Sequence, residues 1–175
     1  MTREIDSETL GRLRIGTGEV VEIGWLSRDL PFLSRTIRFL LRGESNVMRH
    51  ELGLEPGEIG VLAVIAHNPG ISQNALATAV VLKKSAVTKV VQLLERRGLI
   101  ERRRSTTDRR SNELCLTRAG EEMTERMHRM SADLHADWFA DIPAAERDMF
   151  FSVLFRLVAG LAERGPGVPG SGDDD

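Results

Sequence analysis

Only one cysteine, Cys115, occurs in the 175 residues, so an intrachain disulfide is excluded and a cytoplasmic protein is the expectation. No apolar run approaches the roughly 18–20 residues that span a bilayer, so no membrane partner is expected. The opening MTREIDSETLGRLRIG carries charges but no apolar segment behind them, and no secretory leader is expected. The four histidines form no tightly spaced pair, and His128 and His135 lie seven apart. No metal site and no cofactor is expected. Nucleophile–base sets, glycine-rich phosphate loops and paired carboxylates are also missing, which argues against an enzyme.

The chain also has little net charge, -2 overall, yet that charge is unevenly spread. Between Lys83 and Arg110 ten basic residues stand against three acidic ones, a local balance of +7. The remainder must then sum to -9. Such a concentration is the electrostatic footprint of a site for something anionic. At 41 % hydrophobic and 29 % charged, with sustained periodicity, the sequence is that of a folded chain.

Residues 1–26 hold four glycines between positions 11 and 24, which disfavours a long helix. Here Glu19–Leu26 reads as a short strand or the lead-in to a helix. Ser27 is then a candidate cap, with Leu30, Leu33, Ile37, Leu40 and Leu41 on one face and Pro31 in the first turn. A second stripe through Phe32, Phe39 and Val47 leaves this helix apolar on two sides, which calls for a second chain. Gly43 marks a bend. The next helix opens at Leu54–Glu58, with Ile59, Leu62, Ala63, Ile65 and Ala66 inward, and ends at His67-Asn68-Pro69-Gly70.

Ser72 caps a short helix from Gln73 to about Val80, with Leu76, Ala77 and Val80 inward. A second helix starts at Lys84 or Ser85 and runs to Arg97, with Val87, Val90, Val91 and Leu94 inward. Gly98 ends it. Leu99–Arg102 and Glu113–Leu116 form a hairpin around a polar, arginine-rich loop. Thr117 caps a long helix whose stripe is Met123, Met127, Met130, Leu134 and Trp138. Pro143 interrupts it, and a final helix from Ala144 carries Met149, Val153, Leu154, Leu157, Val158 and Leu161, widened by Phe150, Phe151 and Phe155.

Two helices joined by a tight connection and followed by a basic hairpin describe a winged helix-turn-helix. The expected fold is mainly α with a small β-wing, in a dimer built from N- and C-terminal helices. The first short helix props the second so that its opening turns enter the major groove. The side chains placed to meet base edges or phosphates are Lys84, Ser85, Thr88, Lys89 and Gln92, with Ser72 at the prop helix start. Arg103, Arg109 and Arg110 would meet the backbone or minor groove from the wing.

The stretch Leu54–Met123 resembles the MarR family of transcriptional regulators. The resemblance runs through LEPGEIGVLAVI, HNPGISQNALA, KSAVTKVVQLLERRGLIERR and TTDRRSNELCLTRAGEEM. It implies a triangular homodimer with interlocked terminal helices and two DNA-reading lobes. It also implies that Asp108 orients the wing through an ion pair and that Arg109 or Arg110 enters the minor groove. The sequence departs from the family pattern at Val81, where glycine is usual, and at Lys83, where a capping side chain is usual.

The implied parts are an N-terminal arm and dimerisation helix (1–54), a DNA-binding lobe (55–117), C-terminal dimerisation helices (118–164) and a disordered acidic tail (165–175). The implied activity is sequence-specific regulation at a pseudo-palindromic double-stranded operator, with repression relieved by a small-molecule effector. A winged-helix protein-interaction module and a ligand-independent activator are the alternatives. Candidate effector-pocket residues are Trp25, Phe32, Arg35, Phe39, Met48 and Ile59. Arg35 would meet an acidic ligand or, more simply, pair with a carboxylate of a partner subunit. Strand alternation places Cys115 opposite Leu114 and Leu116, so it is either a redox-sensing thiol or an ordinary packing residue.

Overall fold

The computed structural model describes residues 11–14, 16–80, 82–104 and 112–164. The described residues fall into two compact units, one within 25–134 and one made of the terminal segments 11–24 and 135–164.

In the terminal unit, β1 (Arg12–Arg14) pairs antiparallel with β2 (Val20–Glu22), with Leu13 opposite Val21. An Arg12–Glu22 ion pair of 2.7 Å lies across the hairpin. Glu19–Leu26 therefore holds both expected forms, since β2 is followed by a 3-10 turn over Gly24–Arg28.

Helix α1 (Leu30–Leu40) is capped by Asp29, not by Ser27, which falls within the 3-10 turn. The Asp29 carboxylate accepts from the Phe32 N–H at 2.8 Å. The chain breaks at Leu41, two residues before Gly43, and resumes as α2 (Arg42–Leu52). Helix α3 (Glu58–His67) follows. Its buried face is Glu58, Val61, Leu62 and Ile65; Ile59, Ala63 and Ala66 are only partly covered. The run IGVLAVIA is apolar on every side, so periodicity alone could not orient it.

Ile71–Ser72 forms β3, the prop helix α4 spans Gln73–Ala79, and α5 spans Lys84–Arg96. The hairpin is β4 (Ile100–Arg104) and β5 (Asn112–Leu116). The sheet has three strands rather than two, in the order β3-β5-β4. Ile71 lies opposite Leu114 and Ser72 opposite Glu113. Two residues carry no readable period, which is why β3 escapes a sequence reading. With β5 in the middle, Cys115 is buried, and the face assigned to it by alternation is not a free one.

One core closes this unit. Leu52, Leu54, Val61, Leu62, Ile65, Leu76, Val87, Val91, Leu94, Ile100 and Leu114 are buried together with Met127 from α6 (Arg118–Trp138). Met123 and Met130 pack against it, so the methionine stripe is core. Thr117 opens α6 as expected: its hydroxyl accepts from the Gly120 N–H at 3.2 Å and donates to the Gly98 carbonyl at 2.6 Å. A Cβ on Gly120 would stand 2.0 Å from the Leu99 carbonyl oxygen, so helix and hairpin approach through a contact that only glycine permits.

In the terminal unit, the end of α6 is followed by α7 (Ala144–Glu163). His135, Phe139, Phe150 and Phe151 form an aromatic cluster with ring centroids 5.3–6.3 Å apart among the neighbouring pairs. No residue of α7 is buried. Among the described residues no helix is long and apolar enough to cross a membrane, and no group of three metal-binding side chains is present.

Candidate nucleic-acid interface

The site is built on α5. Val87, Val91 and Leu94 fix one face of the helix in the core, which turns Lys84, Ser85, Lys89 and Gln92 to solvent. None of Lys83, Lys84 and Lys89 has a carboxylate within ion-pair distance among the described residues. Lys83 stands at the N-cap with extended backbone and no capping side-chain hydrogen bond. Unsatisfied N–H groups and the helix dipole therefore add to the lysine charges at this end. Val81, the other departure from the family pattern, lies outside the described residues.

Thr88 is placed differently from its neighbours. Its hydroxyl donates to the Lys84 carbonyl at 2.9 Å and accepts from Gln73 Nε2 at 2.7 Å. The second bond joins α4 to α5 through side chains. Gln73 has no part in the sequence-level site, because a bond across fifteen residues leaves no local pattern. Ser72 caps α4, its oxygen accepting from the Ala75 N–H at 3.2 Å. The hydroxyl hydrogen remains available to a phosphate.

At the other end α5 is anchored by a buried charge. The Glu58 side chain is fully buried, and Oε2 accepts from the Glu55 N–H and from Arg97 Nη1, each at 2.8 Å. Arg97 Nη2 donates to the Gly53 carbonyl at 2.9 Å. One guanidinium thus ties the exit of α5 to the end of α2 and the start of α3. In sequence Glu58 is only part of a helix-opening turn, and Arg97 is one of ten basic residues between Lys83 and Arg110. Arg97 is instead a structural cation.

The arginines of β4 divide in the same way. Arg102 pairs with Glu95 at 3.1 Å and fastens the strand to α5. Arg103 is held by Glu101 through Nε at 2.8 Å and Nη2 at 2.5 Å. These hydrogen bonds, with the Glu101 charge, raise its pKa further above the ordinary guanidinium range. A phosphate would have to share Arg103 with Glu101. Arg104, one residue on, is exposed and has no ion pair among the described residues. In sequence it is one of three successive arginines, with no pattern that singles it out. Asp108, Arg109 and Arg110 lie outside the described residues.

Three of the expected effector residues, Phe32, Arg35 and Phe39, lie close together on α1. Arg35 and Phe39 line a cavity of about 460 Å³ together with Arg38 and Arg42. Phe32 lies under Arg35, with 5.9 Å from ring centre to guanidinium carbon. Trp25 is 75 % exposed, whereas Met48 and Ile59 pack against the core.

The family model for the MarR family matches residues 52–111. A Thauera aromatica protein described as a transcriptional regulatory protein for the hcr operon is 42 % identical over 105 residues, covering 60 % of this chain. This chain spans 63 % of that relative's length. BilQ, an HTH-type transcriptional regulator of Clostridium symbiosum, is 30 % identical over 105 residues, 60 % of this chain and 73 % of BilQ. The structure of the transcriptional repressor CouR bound to a 23-mer DNA duplex is similar with a TM-score of 0.69 and 27 % identity. That similarity covers 79 % of this chain and 98 % of CouR.

Proposed function

The chain belongs to the MarR family of winged helix-turn-helix transcriptional regulators, and from that premise we propose that it binds a pseudo-palindromic duplex operator as a homodimer and represses transcription until a small-molecule effector releases it. The observation that carries this reading is the solvent face of α5. Lys84, Ser85, Lys89 and Gln92 are exposed at the uncapped start of a helix whose other face is locked in the core. A helix so presented fits the major groove, where lysine donates to guanine O6 and N7 and glutamine pairs with adenine. Arg104 on β4 extends the cationic surface towards the wing. The CouR structure is of a repressor on DNA, which supports the same use of the shared fold here.

Two-fold symmetry would set the two α5 helices about 34–36 Å apart, one turn of duplex, or a multiple of it. Selection from random-sequence duplexes tests the proposal. It should return a site with inverted half-sites, and binding should weaken steeply with salt, by about 0.9 in the log–log slope per neutralised phosphate. Failure to enrich any sequence would refute it.

A further inference from the structure

We infer that Thr88 is a specificity-determining residue that meets the C5-methyl group of a thymine with its own methyl, and that Gln73 is the residue that positions it. The inference rests on the reading above, in which the solvent face of α5 enters the major groove, and names the base that one position of that face selects.

On the helix Thr88 stands one turn beyond Lys84 and Ser85 and one turn before Gln92. Those three side chains are exposed, whereas Thr88 is half-buried. A free threonine hydroxyl both donates and accepts, so it meets any base pair and discriminates poorly. This hydroxyl is not free. Its single hydrogen goes to the Lys84 carbonyl at 2.9 Å. With that hydrogen spent, only an N–H can approach from Gln73, and Nε2 does so at 2.7 Å. Thr88 therefore cannot donate to guanine O6 or N7, to adenine N7 or to thymine O4. Its methyl remains, and among the base edges of the major groove only thymine offers a methyl group to meet it. One hydroxyl lone pair is also left, and an amine of adenine or cytosine bound there is the rival that the variants below separate.

Gln73 opens α4 and is itself half-buried. A helical threonine divides between two rotamers, because its hydroxyl can reach the carbonyls of the preceding turn from either. The bond from a second helix selects one of them. Without it the methyl and the hydroxyl can exchange places at the surface of α5.

Competition binding on the full chain, with the duplex that random-sequence selection returns, measures the effect of replacing each thymine of a half-site in turn by deoxyuridine. One thymine should stand out, with affinity falling about fourfold per half-site, the worth of one buried methyl group. T88S should make that position indifferent to the methyl. T88V, which keeps a methyl and lacks the hydroxyl, should retain the effect. Q73A should roughly halve the ratio of thymine to uracil binding in the otherwise unsubstituted chain, on the same one-methyl scale. It should leave the ratio unchanged in T88V, where both branches are methyl groups. A merely structural role for Gln73 would lower binding of both duplexes alike and leave the ratio unmoved in both backgrounds. Circular dichroism melting confirms that each variant is folded. Failure to select any sequence overturns the proposed function and this inference with it. An operator that is selected but binds equally with and without every thymine methyl overturns the inference alone. So does a methyl effect that survives in T88S, which assigns the contact to another side chain. A preference lost in T88V and kept in T88S assigns it to an accepting hydroxyl and overturns it equally. An undiminished ratio in Q73A overturns the role of Gln73.

Discussion

At Gly120 a single hydrogen atom decides whether helix and hairpin can meet. Helix propensity alone would favour alanine there by about 1 kcal/mol. The built geometry reverses the sign, because a methyl group would lie 2.0 Å from the Leu99 carbonyl oxygen, a backbone atom that cannot rotate away. Gly120→Ala should therefore destabilise the protein by at least about 2 kcal/mol, as overpacking does, measured by urea unfolding. Unchanged or raised stability would mean that the approach of α6 to Leu99 is looser than described. Nothing in the sequence marks this glycine: it sits where a helix start tolerates many residues. Glu58 and Arg97 were equally silent, since an ion pair across thirty-nine positions leaves no spacing to read. Residues whose neighbours are distant in sequence are the part of the site that only the fold reveals.

At the scale of elements the sequence was far more legible. Helices α4 and α5 repeat an apolar residue every three to four positions, and Val87, Val91 and Leu94 are buried as that spacing requires. The same geometry turns Lys84 and Lys89 outward, so the reading face follows from the core face. The wing was harder. Its strands alternate, but the third strand, Ile71–Ser72, is too short to alternate and it changes which positions are covered. The basic run also reads as one patch, whereas the fold uses Arg97 and Arg102 as internal fasteners and leaves Lys89 and Arg104 free. These two should behave differently on DNA. Lys89→Ala removes a base-edge donor and should relax sequence preference at one position by about 1–3 kcal/mol. Arg104→Ala removes a phosphate contact and should weaken all duplexes alike, lowering the salt slope by about 1. Competition binding with single-base operator variants separates the two. Equal loss of affinity without change in preference for both would place α5 wrongly in the groove.

For the whole molecule, the described chain leaves apolar surface that a lone copy cannot account for. Helix α7 buries none of its residues, yet it carries Met149, Phe150, Val153, Phe155, Leu157, Val158 and Leu161 exposed. Helix α1 adds exposed Leu30, Ile37 and Leu40. A helix apolar on most sides is stable in water only when something covers it, and patches this extensive mark an association surface. A second copy is the partner in the reading proposed above, and two linked lobes would give an operator with two half-sites its affinity. Phe155 isolates this idea because it is 74 % exposed, so replacing it removes little from the single chain. Phe155→Asp should leave the melting of the 25–134 unit intact but loosen the dimer by about 2 kcal/mol or more, the scale of an interfacial aromatic. Sedimentation velocity at micromolar concentration should then show monomers, and a full operator should bind hardly better than a half-site. A variant that remains dimeric and keeps its preference for the full operator would move the association surface away from α7.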